Sequence, residues 1–138
     1  MNAPLYTTEI LRLAASLPEP HALEREDGRA ERRSPTCGSR VTVSVQLDDQ
    51  GRVAGLSQQV HACAFGQASA ALLQRRAIGH GRADVTQVHD RLAAWLGGAE
   101  TDPGWGFAAL GAARSRPSRH GAILLPLRAL IAAIEEGR

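Results

Sequence analysis

The chain has 138 residues, 43% of them hydrophobic and 22% charged, with a formal net charge of +2. These values match an average soluble domain and exclude a collagen, a disordered acidic segment and a disulfide-dense mini-protein, so one domain over 1–138 is expected. No apolar run approaches the ~20 residues of a membrane span, and the opening MNAPLYTTEILRLAASLPEP lacks the basic n-region of a signal peptide, so a cytoplasmic protein is expected.

Residues 4–16 carry Leu5, Ile10, Leu11 and Leu13 at helical spacing, and Pro18 and Pro20 end that helix. The charged run 22–34 reads as a loop or a short edge strand around Gly28. Val41, Val43, Val45 and Leu47 then alternate with polar residues, the pattern of a half-buried antiparallel strand. Asp48-Asp49-Gln50-Gly51 is a turn, and a second strand over 52–60 places Ala54, Leu56 and Val60 on one face. Afterwards the period becomes helical. Phe65, Ala68 and Leu72 form one stripe, ending near Gly79-His80-Gly81. Val85, Val88, Leu92 and Trp95 form another, ended by Gly97-Gly98. A loop leads to a short helix near Phe107–Ala113, and the last stripe is Ile123, Leu124, Leu127, Leu130, Ile131 and Ile134. Strands before clustered helices give an α+β order: a small three-stranded antiparallel sheet with helices packed on one face.

The hairpin locates the cysteines. Residues paired across its turn have numbers that add to about 100, and so do Cys37 and Cys63, which therefore sit just beyond its open end. Adjacent strands lie ~4.8 Å apart, so the two thiols are within reach of one metal ion. Cys63 also sits just ahead of a helix, where the dipole favours thiolate. In a reducing cytosol such a pair is free, catalytic or metal-bound; the plain reading is two small buried hydrophobes.

The segment SPTCGSRVTVSVQLDDQGRVAGLSQQVHACAFGQASAALL resembles the core of the IscU/NifU N-terminal iron–sulfur cluster assembly scaffold family. That family has a Pro-x-Cys-Gly-Asp segment, a hairpin, and Gly-Cys before a helix rich in small residues. Here these read Pro35-Thr36-Cys37-Gly38-Ser39 and Ala62-Cys63, then Gln67-Ala68-Ser69-Ala70. LYTTEIL resembles the opening helix, and FAALGAARSRPSRHGAILLPLRAL the final segment, with an interval like the SufU-type branch. The resemblance implies a scaffold or carrier that accepts sulfur from a cysteine desulfurase, works with other iron–sulfur assembly proteins, and holds an iron–sulfur cluster (2Fe–2S) or zinc through Cys37 and Cys63. It also implies two replaced ligands: Ser39 at the Asp position and Ala122 at the third Cys. Alternatives are a divergent member without a stable cluster, acting as an interaction or regulatory protein, and, as an enzymatic reading, a zinc-dependent sulfur transferase.

Two histidines are candidate replacement ligands: His120, two residues before Ala122, and His61, two before Cys63 on an extended strand and so of the same parity. Histidines at such positions are commonly just solvated or hydrogen-bonded. Pro126 deprives the Ala122 carbonyl of its helical donor, so the last helix is expected to kink there or to begin later. Arg32, Arg33 and Arg40 flank Cys37, and Arg114, Arg116 and Arg119 precede Ala122. Brought together, they would form a positive patch suited to docking or to an anionic partner; dispersed, they are a solvated surface. Scarce aromatics and a small net charge argue against nucleic acid.

Overall fold

A computed structural model describes residues 6–35 and 38–138. Strands β1 (Gly28–Arg33), β2 (Arg40–Leu47) and β3 (Val53–His61) form one antiparallel sheet in the order β1-β2-β3. The strict alternation of β2 survives intact. Val41, Val43, Val45 and Leu47 are buried, while Arg40, Thr42, Ser44 and Gln46 line the outer face. The charged run resolves into an edge strand, the place where a sheet tolerates charge. Its first residue must be glycine: Gly28 lies against the final helix, and a Cβ there would overlap the Ala133 carbonyl oxygen.

β3 departs from the expected face at its start. An irregularity between Gln46 and Leu47 pairs Gln46 with Gly55 and Leu47 with Val53. One extra residue in one strand reverses the alternation beyond it. Val53 therefore enters the core and Ala54 is exposed. From Leu56 onward the expected parity holds. Between Leu56 and Val60, Gln58 is buried facing inward, where its amide donates to Ala70 O and Gln74 Oε1, both at 3.0 Å.

The helices are α1 (Thr8–Ala15), α2 (Ala64–Arg76), α3 (Arg82–Leu96) and α4 (His120–Glu136), with 3-10 turns at Phe107–Ala113 and Pro117–Arg119. Thr7 caps α1, accepting from Ile10 N at 3.2 Å. Ile10 and Leu13 turn inward, whereas Leu11 is 50% exposed; Leu5 lies outside the described residues. α4 lies across β1 and β2 and packs on α2 and α3, and α2 fills the space between α1, α4 and β3.

α4 starts at His120 and runs through Pro126, so it does not begin later. The Ala122 carbonyl that Pro126 cannot engage faces Gly66 of α2: a Cβ on Gly66 would stand 3.2 Å from that oxygen and 2.6 Å from Ala62 Cβ. One residue on, Ile123 O accepts from Ser69 Oγ at 2.6 Å. Small residues thus let α2 approach the backbone of α4 closely. No described helix is long and apolar enough to cross a membrane.

Candidate functional site

The site lies where three chain segments meet at the open end of the hairpin. β3 ends at His61, and two residues later Cys63, in extended conformation, is the N-cap of α2 without a side-chain capping bond. The β1–β2 connection returns through Ser34 N donating to Ser39 O at 2.9 Å. Arg119 is the N-cap of α4. The close α2–α4 approach at Gly66 brings the two helix starts together. Between them is a cavity of about 160 Å³, lined by Gly38, Ser39, His61, Cys63, Arg119 and Ala122 among others.

Three of the four positions singled out by the family resemblance therefore share one cavity: Ser39, Cys63 and Ala122. Ser39 and Ala122 are buried, and Cys63 is a half-buried free thiol. Cys37 lies outside the described residues. Its neighbour Gly38 lines the same cavity, and Arg40 pairs directly with His61. His61 is exposed and contributes to the cavity wall.

His120 is differently employed. Its Nε2 donates to Ala113 O at 2.8 Å, tying the start of α4 to the preceding 3-10 turn, and it does not line the cavity. The arginines divide as well. Arg114 lies 4.9 Å above the Trp95 ring and donates to Trp95 O and Ala99 O, both at 2.9 Å, so it braces the 97–106 loop. Arg119 faces the cavity. Arg33 and Arg40 stand opposite each other across β1 and β2.

Tyr6 has no role in the sequence reading, yet it belongs to the site. Its ring meets Phe65 edge-on at 5.1 Å, and its hydroxyl is coupled electrostatically to Cys63. Burial pushes the Tyr6 hydroxyl above its ordinary value, Cys63 adds to this through its charge, and Arg119 opposes it. The available signal was a tyrosine immediately before the Thr7 cap, a position that packs back on its helix. Nothing local links it to a residue in another element.

The donors on the described cavity wall are one thiol, one imidazole and hydroxyls. Among the described residues no group of three or more His, Cys, Asp or Glu is arranged to hold a metal. They do not by themselves complete the four ligands of a structural zinc or cluster site.

No protein-family model and no curated protein match the sequence. Solved structures do. A nitrogen-fixing NifU-like protein (N-terminal) from Brucella abortus is 29% identical, covering 96% of this chain and 93% of that one, with a TM-score of 0.81. FiSufU from the thermophile Fervidobacterium islandicum, a candidate iron–sulfur cluster assembly scaffold for the SUF system, shares the fold at 20% identity, 94% and 96% coverage and a TM-score of 0.82. This similarity runs nearly end to end, and the sheet order and Cys63 at the start of α2 are as the sequence motifs require: the chain has the fold of the NifU-like and SufU proteins and is similar to the IscU/NifU-like family.

Proposed function

We propose that the chain is an iron–sulfur cluster assembly protein of the IscU/NifU/SufU type, in which Cys63 and Cys37 accept sulfur and hold a nascent cluster, or a zinc ion, as cargo. The observation that carries this reading is the shared cavity: Cys63 faces the two positions, Ser39 and Ala122, at which the family places a carboxylate and a thiolate. His61, on the same wall, is the proposed further donor. His120, held through Nε2 by Ala113, fixes the start of α4 instead.

The sulfur step is thiol exchange. The Cys63 thiolate attacks the terminal sulfur of a desulfurase persulfide, the donor's S–S bond breaks, and the desulfurase cysteine leaves as thiolate while the proton stays on the transferred sulfur. Tyr6 and Arg119 are polar neighbours of Cys63, and the positive charge of Arg119 on the cavity wall suits an incoming anionic sulfur donor. The cysteine desulfurase is the proposed partner.

A second reading is favoured by Ser39 and Ala122 themselves: a hydroxyl and a methyl supply no soft ligand, and clusters are held chiefly by thiolates. A family member built this way acts as an interaction or regulatory protein without a stable cluster. Iron, sulfide and zinc per chain, measured after anaerobic purification and after reconstitution, separate the two. Iron with sulfide, lost in Cys63→Ala, supports the scaffold. Zinc alone supports the sulfur-transfer site. No metal, and no rise in desulfurase turnover on adding the protein, leaves the second reading.

A further inference from the structure

The register at the open end of the sheet sets basic side chains side by side. Arg33 of β1 is directly opposite Arg40 of β2, and Arg40 is directly opposite His61 of β3. The three residues form a row across the outer face that ends at the cavity, which Arg119 also lines. Like charges directly opposite in an antiparallel pair are destabilising. A single carboxylate serves both guanidiniums: Glu31 lies 3.1 Å from Arg33 and 3.7 Å from Arg40, and it also accepts from Thr42 at 3.3 Å. Arg119 has no acidic partner among the described residues, and no acidic side chain lines the cavity. The Arg33 and Arg40 side chains remain 66% and 40% exposed. Positive charge is thus left in surplus beside the Cys63 cavity, at a cost to the strand pair that carries it.

We propose that the row Arg33–Arg40–His61, continued by Arg119, is a docking surface for an acidic protein segment that closes the mouth of the Cys63 cavity. Planar guanidinium forks take carboxylates two contacts at a time. Glu31, two residues from Arg33 along β1, sets a negative charge beside the row, which penalises a continuous phosphate backbone but leaves room for a peptide whose carboxylates are spaced. No Phe, Tyr or Trp lies in the row for bases to stack on, and the net charge of the chain is only +2. The inference rests on charge and register, and it stands whether or not Cys63 carries sulfur or metal.

The test uses the full chain and a fluorescein-labelled Glu-Ser repeat peptide, followed by anisotropy as salt is raised, with DNA oligomers in parallel. The peptide is expected to bind at low salt and to be released as salt rises. The R33Q/R40Q variant is expected to weaken binding about tenfold, whereas R76Q/R91Q, which removes the same charge from exposed positions on α2 and α3, changes it less than about twofold. Should the first pair misfold because Glu31 loses both partners, E31Q/R33Q/R40Q carries the same expectation. Bound peptide is also expected to slow alkylation of Cys63, read site by site by mass spectrometry. Equal weakening by both charge-removing pairs, absence of binding at low salt, tighter binding of DNA than of peptide, or an unchanged Cys63 alkylation rate would each overturn the proposal.

Discussion

At its turn, the β2–β3 hairpin ties carboxylates to backbone N–H groups: Asp48 accepts from Gln50 and Arg52, both at 2.9 Å, and Asp27 accepts from Leu47 at 2.7 Å. At its open end the same strands set Arg40 against His61 and lead into Cys63 and a cavity of about 160 Å³. The turn end is polar groups satisfied locally, and it holds the register. The open end leaves charge in surplus and a thiol beside empty space, an arrangement that adds nothing to stability and is suited to binding. One hairpin therefore serves as anchor at one end and as site at the other.

The sharpest way to test this division is to place two metal-binding side chains at the open end. S39D/A122C places a carboxylate and a thiol at buried positions on the Cys63 cavity wall. The expected outcome is about one tightly held zinc per chain, above whatever the parent protein retains after dialysis. Cobalt substitution checks it by thiolate charge-transfer absorption, and unchanged metal content would break the claim that these positions share a site.

Next in size is the close α2–α4 contact at Gly66. Gly66→Ala puts a methyl 2.6 Å from Ala62 Cβ and 3.2 Å from a backbone oxygen that cannot move freely. Overpacking of this kind costs roughly 1–3 kcal/mol, read as a lower urea midpoint.

Tyr6 separates packing from chemistry. Tyr6→Ala loses the Phe65 contact and is expected to cost about 1 kcal/mol beyond the lost area. Tyr6→Phe keeps the ring, so stability is expected to change by less than about 0.5 kcal/mol while Cys63 alkylation slows, because the polar group coupled to the sulfur is gone. A Tyr6→Phe protein with parental Cys63 reactivity would remove Tyr6 from the site.

The smallest effect belongs to the anchored end. Asp48 is held below its ordinary value of 3.8, chiefly by the Arg52 N–H, and Asp27 likewise, chiefly by Arg25 and then by the Leu47 N–H. Each carboxyl therefore binds its proton less readily folded than unfolded. Its contribution is complete above the ordinary value and is lost as pH falls through the folded value. The melting temperature is expected to hold between neutrality and about pH 5 and to drop below about pH 4. Asp48→Asn should flatten part of that drop, modestly, because the group is exposed.

What could be read from the residues in order was whatever depends on near neighbours. The alternation of β2, the Asp48 turn and the apolar stripes of α2, α3 and α4 are periodicities that backbone geometry converts directly into faces. The order of motifs around Cys37 and Cys63 carried the fold family, and with it the expectation that Ser39, Cys63 and Ala122 belong together.

The rest depends on distances between segments far apart in the chain. One extra residue beside the turn moved Val53 inward and Ala54 out. Ala113 claimed His120, and Trp95 claimed Arg114. Tyr6 met Cys63 because α1 docks on α2. By itself the sequence determined which faces are apolar and which end of the hairpin bears the thiol; tertiary structure alone decided which side chains share the cavity, because that is set by how closely α2 and α4 approach across Gly66, a contact that no periodicity encodes.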